Sequence, residues 1–273
     1  ENLFKQESTK RVFSDDEYTK FVKDKRNQGV RYRLQLGAKN NSVFTLQNIK
    51  QIAELAKAHG IATMIDNTWA TPLFQKPLNA GIDLEMHSCS KYLGGHSDIV
   101  AGVLIGSSEL IDAIHVREYE LLGAKMAPME ASYLIRSLRT LGLRMERHQQ
   151  SSLIIAKFLE NHPKIEKVNY PGLASFPQSA LAKEQMTGFS GLMSFKLKTD
   201  VFIDIKAFFN SLKLFQIGVS WGGHESLIYA PAIGYLKEQS PEQFAQMGIS
   251  LGDMRISVGL ENVDDLLADL ATS

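Results

Sequence analysis

The sequence predicts an α/β fold: a mostly parallel sheet with flanking helices, followed by a smaller C-terminal α/β unit. Three observations carry this. Helix and strand periods alternate from residue 45 onward. The apolar runs, such as Ile61–Ile65 and Ile99–Ile105, suit buried strands and fall far short of the roughly 20 residues a membrane helix needs. Beyond Pro163 short strand-like and helix-like segments still interleave, as expected for flanked sheets.

Taken in order, Ser14 and Glu17 have capping-box spacing, and Tyr18, Phe21 and Val22 follow at helical intervals. This predicts a short amphipathic helix, or alternatively a surface arm. Leu46, Ile49, Ile52, Ala53 and Ala56 form a helical stripe that stops near Gly60 and runs into the strand Ile61–Ile65. A turn-rich stretch leads to Asp83, then a Ser/Gly-rich segment around Lys91, the strand-like Ile99–Ile105 and a helix from about Ser108. A long helix from about Arg144 to Asn161, stopped by Pro163, bridges to the C-terminal part. There the expected strands are Ile165–Tyr170, Gly191–Leu197, Ile217–Ser220 and Met254–Val258, with helices over Phe202–Leu212 and Val263–Leu270. The chain divides into a charged segment 1–33, a large-domain portion 34–143 and a small domain 144–273 carrying the bridging helix.

Composition narrows the function. The 273 residues hold 30 Lys+Arg against 30 Asp+Glu, so no net field draws in nucleic acid or an anionic membrane. Charge concentrates at the start, where 15 of the first 33 residues are charged against 45 of the other 240. The lone Cys89 rules out an intrachain disulfide, and the start lacks signal-peptide organisation, so a cytoplasmic location is expected.

Four stretches carry candidate chemistry. In Ile65-Asp66-Asn67-Thr68 an apolar run ends in a carboxylate, where open α/β sheets bind ligands; a helix cap or turn is the alternative role for Asp66. In Ser88-Cys89-Ser90-Lys91, hydroxyls precede a Lys that desolvation would turn into an amine nucleophile, the alternative being an exposed loop lysine. Cys89 reads as a small core residue. His87 and His96 make no metal-ligand spacing with it, so no metal is expected. In Ser220-Trp221-Gly222-Gly223 the glycines imply a tight turn, and Trp221 serves either the site or packing. Arg255 lies amid strand-forming residues, where its fork matches a carboxylate unless it is solvated on an edge strand.

In this order, these stretches resemble the Cys/Met-metabolism family of pyridoxal-phosphate enzymes, from about Gln47 to Leu270. Asp66-Asn67-Thr68, the run Ser90 to Asp98, Arg136-Ser137-Leu138-Arg139-Thr140-Leu141 and Gly259-Leu260-Glu261 carry the match. The resemblance implies a fold-type-I transferase architecture with pyridoxal 5'-phosphate as cofactor. It implies that Lys91 is the Schiff-base lysine, Asp66 the partner of the pyridine nitrogen, and Ser88 and Ser90 the phosphate's hydroxyl ligands. Arg255 becomes the clamp on the substrate's α-carboxylate, and Ser220 the serine orienting Lys91. Asn41 is the surviving cofactor-side contact of an upstream segment.

Trp221, where γ-lyases and γ-synthases commonly carry Leu, points to α,β-elimination of a thioether amino acid such as cystathionine. Cystathionine γ-lyase, γ-synthase or methionine γ-lyase chemistry is the alternative. A homo-oligomer, dimer or tetramer, is implied. Family members usually carry well over a hundred residues ahead of the position of Gln47, and here there are 46. The glycine turn for the phosphate and the stacking Tyr are therefore expected to be missing, and a truncated, non-catalytic scaffold is the rival class.

Overall fold

The computed structural model describes residues 33–36, as backbone, together with 45–123, 125–230 and 249–273. The expected helix around Ser14–Val22, and Asn41, lie outside the described residues.

The first unit is a four-stranded sheet in the order β1 (Arg33–Leu36), β2 (Ala62–Asp66), β3 (Leu84–Ser88), β4 (Gly102–Gly106). The β1–β2 and β2–β3 pairs are parallel and β3–β4 is antiparallel. Helix α1 (Ile49–Ala58) forms where the stripe predicts, capped by Asn48, whose side chain accepts from Gln51 N. It buries Ile49, Ile52, Ala53 and Ala56 against Ile65 and Ile82. Short helical turns follow at α2 (Thr71–Phe74) and Pro77–Ala80.

Two expectations are corrected here. The stretch before Lys91 is a strand, β3, which was read as turn and loop. Leu84 and Met86 alternate with Glu85 and His87, but the alternation is short and its polar members are buried, hydrogen-bonded to each other at 2.7 Å. The strand expected over Ile99–Ile105 starts only at Gly102. Ala101 instead faces the Lys91 turn: its N–H donates to Ser90 Oγ and its carbonyl accepts from Cys89 N.

Helix α3 (Ser108–Ile114) is capped by Ser107. An unpredicted helix, α4 (Pro128–Leu138), precedes the long α5 (Leu141–Glu160), which starts a turn earlier than expected. Leu141 and Met145 at one end of α5 pack with Tyr92 and Leu93, while Ile155, Ala156 and Leu159 at the other join the C-terminal core. One rigid helix therefore holds both units in register.

The C-terminal sheet runs β5 (Ile165–Asn169), β6 (Leu192–Leu197), β9 (Asp253–Ser257), β8 (Leu227–Tyr229), β7 (Gln216–Ile217). All its pairs are antiparallel except β7–β8. Helices α6 (Ser179–Gln185), α7 (Phe202–Ser211) and α8 (Val263–Ala271) complete this unit. Its core centres on Tyr170, Met193, Phe195, Ile228, Met254 and Ile256, all nearly inaccessible. The β9 strand is central, which removes the edge-strand alternative for Arg255. No helix among the described residues is long and apolar enough to cross a membrane.

Candidate active site

Because β2 and β3 are parallel neighbours in the register Asp66↔Met86, Asp66 and Ser88 finish their strands at the same sheet edge. Asp66 does not cap a helix. Its Oδ1 accepts from both the hydroxyl and the backbone N–H of Thr68, at 3.0 Å for the latter. The lone pairs of Thr68 Oγ1 in turn accept Ser88 N–H at 2.8 Å. Thr68 thus ties the carboxylate of one strand to the end of the next.

Directly after Ser88 the chain enters a π-helical turn, Cys89–Leu93, interrupted by non-helical dihedrals at Lys91 (φ −102°, ψ −133°). Such turns are frequent at functional sites. The Lys91 amine donates to Ser220 Oγ at 2.8 Å and lies 5.4 Å from the centre of the Trp221 ring. Burial, and secondarily the Arg255 guanidinium, hold its pKa below the ordinary lysine value, which raises the neutral, nucleophilic fraction. Cys89 is fully buried and burial pushes its thiol up, in keeping with a packing role.

Arg255 is 4% exposed in the middle of β9, between Ser194 and Tyr229 in the ladder. It lies 5.2 Å from the Tyr229 ring centre and donates to the carbonyl of Val219, next to Ser220. The segment that presents Ser220 is thus held from below by the same guanidinium that depresses Lys91.

Two supports hold this turn, one of them, Arg144, not expected from the sequence. Arg144, 6% exposed on α5, donates to the carbonyls of Tyr92 (2.6 Å), Leu93 (3.4 Å) and Ser137 (3.0 Å). It therefore caps the turn that carries Lys91. A Cβ on Gly95 would come within 2.0 Å of this guanidinium. The available signal was an arginine in an otherwise apolar stripe with Leu141 and Met145. The second support is Gly222, at φ +79°, where a Cβ would meet Tyr92 N at 2.9 Å and Lys91 Cα at 3.3 Å. Gly222→Ala is expected to cost about 1–3 kcal/mol in thermal unfolding, through left-handed strain and overpacking. It should also displace Lys91, read as loss of borohydride-trapped pyridoxal phosphate at that residue.

Trp221 is half-buried, edge-on to Tyr92 at 5.6 Å, so it serves packing and borders the amine at once. Ser88 and Ser90 are half-buried at the same turn. The large cavities lie elsewhere, one of 640 Å³ around Phe158 and Phe208 and one of 690 Å³ beside α1. A small one of 80 Å³ reaches Asp66 alongside Leu46 and Trp69. Among the described residues no cluster suits a metal ion.

The chain is 44% identical to L-methionine gamma-lyase of Pseudomonas putida over 231 residues, 84% of this chain and 58% of the relative. It is 41% identical to cystathionine gamma-lyase of Bacillus subtilis (84% and 60%) and 41% identical to cystathionine beta-lyase of Lactococcus lactis subsp. cremoris (85% and 60%). The chain therefore spans about 60% of the length of the curated relatives it matches. Its fold superposes on cystathionine gamma synthase from Xanthomonas oryzae pv. oryzae with a TM-score of 0.84 at 36% identity, covering 92% of this chain and 64% of that one. The family model described as Cys/Met metabolism PLP-dependent enzyme matches residues 2–273, and the chain belongs to that family.

Proposed function

We propose that this chain carries the strand-side half of a pyridoxal-phosphate-dependent carbon–sulfur lyase acting on a sulfur amino acid. The observation that carries the reading is the 2.8 Å contact between Lys91 Nζ and Ser220 Oγ, at an amine whose pKa is lowered by burial and, secondarily, by the buried Arg255.

The residues present fit the cofactor's chemistry. Thr68 occupies Oδ1 of Asp66, which leaves Oδ2 with no described hydrogen-bond partner and available to a pyridine N–H. Ser88 and Ser90 offer hydroxyls for the phosphate, and Lys91 the amine for the aldehyde. Asn41 is proposed as a further cofactor-side contact. When bound, the cofactor supplies an electron-withdrawing ring that acidifies the substrate's α-carbon.

The chain's own residues supply the rest. Arg255 binds and orients the substrate's α-carboxylate, as a fork matched to it. Lys91, its pKa lowered by burial, takes the α-proton and returns a proton to the leaving sulfur. Ser220 aims the amine during both transfers. Trp221 walls the space next to Lys91 and excludes water from it.

For the position of cleavage, Trp221 beside the amine supports α,β-elimination, which releases a thiol, pyruvate and ammonia from a substrate such as cystathionine. The relatives named as methionine and cystathionine gamma-lyases support a second reading, γ-elimination with a 2-oxobutyrate product. Trp221→Leu decides between them. On the first reading the pyruvate-to-2-oxobutyrate ratio from cystathionine falls about tenfold, the scale of one altered apolar pocket contact. An unchanged ratio removes Trp221 as the discriminator.

Assembly as a homo-oligomer is supported by apolar side chains left exposed on two separate elements: Leu121 (81%) and Leu122 (74%) after α3, and Leu143 (72%) on α5. The proposed division at residues 143/144 falls within the first turn of the bridging helix α5, which begins at Leu141. The test of the whole reading is the visible spectrum with added pyridoxal phosphate, followed by borohydride reduction and peptide mapping. A single adduct at Lys91 supports it. Adducts scattered over surface lysines defeat it.

A further inference from the structure

We infer that Glu225 is a positioning residue: with Ser97 it forms a tether that sets the distance between Ser220 and Lys91. Ser97 Oγ donates to Glu225 Oε1 at 2.5 Å, across 128 positions of sequence. Ser97 closes the glycine-rich turn that begins at Lys91, and Glu225 lies in the loop that begins at Ser220. The Lys91–Ser220 bond and the Ser97–Glu225 bond therefore close a ring from two backbone segments. With both bonds in place, neither segment slides along the other.

Two independent features show that the chain is built around this contact. Ser97 sits at φ +58°, in the left-handed region where a residue with a Cβ is strained, and stored strain of this kind gathers where geometry serves a site. Gly223 is buried, and a Cβ there would fall 2.4 Å from Glu225 Oε2 and 2.6 Å from Ser97 Oγ. The pair thus occupies the space a side chain at 223 would need.

The far carboxylate oxygen, Oε2, is buried with no hydrogen-bond partner among the described residues and lies 3.1 Å from His224 Nδ1. Beyond it the loop is anchored again: Ser226 N–H and Oγ donate to Glu261 at 2.7 and 2.8 Å, and Leu260 N–H donates to the His224 carbonyl. Glu261 fixes the loop to the small domain, whereas Glu225 fixes it to the lysine turn.

The catalytic relevance of this tether rests on the reading of Lys91 and Ser220 given above, while its existence is tested without cofactor. The experiment is the rate of Lys91 acetylation by acetic anhydride at fixed pH, normalised to the exposed Lys198. Glu225→Ala and Ser97→Ala are each expected to raise the ratio about fivefold, the scale of coupling between contacting residues. Glu225→Gln, which keeps an acceptor for Ser97, stays within about twofold of the unmodified chain.

In a Ser220→Ala background, adding Glu225→Ala should change nothing further, because the tether acts through Ser220. General loosening would instead add to the Ser220→Ala effect, and that additivity overturns the proposal. Unchanged labelling in Ser97→Ala and Glu225→Ala overturns it too. Should Glu225→Ala fail to fold, Ser97→Ala and Glu225→Gln still decide. A pyridoxal-phosphate adduct sought at Lys91 in parallel tests the functional reading separately: its absence defeats that reading and leaves the labelling result to judge the tether.

Discussion

Lys91→Ala is expected to abolish both the pyridoxal-phosphate adduct and thioether cleavage while leaving the fold intact. The amine is half-buried, and its Nζ–Ser220 bond is a single 2.8 Å contact that alanine removes without leaving a buried charge unpaired. The cost to stability is therefore small: burial already disfavours the ammonium, so deleting it relieves a penalty. The cost to chemistry is large, because the proposed nucleophile and proton carrier are one atom. Loss of a positioned acid–base group costs about 10²–10⁴-fold, and here the covalent step is lost as well. The measurement is pyruvate and thiol release from cystathionine, with circular dichroism as the fold control. Persistent release at more than about a hundredth of the original rate would move the chemistry away from Lys91. Lys91→Arg is the companion variant: it keeps the charge and fails equally, because guanidinium stays protonated.

What the sequence disclosed, and what it hid, has one physical cause. Asp66 is legible because it sits where an apolar run stops, so the periodic signal itself marks the sheet edge, and Lys91 because hydroxyls and glycines surround it. Strand β3, which delivers Ser88 and Lys91, was illegible because its buried face is polar. Glu85 accepts from both His87 and Asn67 Nδ2 at 2.7 Å, so side chains satisfied by one another stand where a pattern reading expects aliphatic residues. Arg144 was read only as a helix boundary, since its role depends on carbonyls some fifty positions earlier in the chain. Arg255 shows the converse. Its residue type and strand context suggested a carboxylate clamp, but whether it was buried or solvated turned on β9 lying between β6 and β8, a matter of topology. Of the residues that act through long-range hydrogen bonds, Ser220 was reached only through the family resemblance and the role of Arg144 was not reached at all.

His148 is expected to give the chain a steep acid-side loss of stability. It is fully buried on α5, with Nδ1 donating to the Val258 carbonyl at 2.8 Å and its ring edge-on to Tyr92 at 5.1 Å. It therefore sits at the junction of the lysine turn and the end of β9. Burial, against the pull of the Val258 carbonyl and with Arg144 repelling a second charge, lowers its pKa from 6.5 to about 4. The folded state thus binds its proton more weakly than the unfolded chain does. Between pH 6.5 and about 4 the unfolded chain holds more protons, and stability falls as pH falls through that window. Above pH 6.5 the contribution is complete and flat. At about 1.4 kcal/mol per tenfold change in proton affinity, the full effect is about 3 kcal/mol. His148→Gln keeps an N–H for Val258 and carries no titrating group, so its unfolding free energy should lack this slope. The measurement is denaturant unfolding of both chains at several pH values from 4 to 7.5. Their difference should be constant above pH 6.5 and shift by up to about 3 kcal/mol in favour of the variant at the acid end. Parallel curves across the whole range would mean that the imidazole takes up its proton alike in the folded and the unfolded chain, so that burial does not lower its pKa.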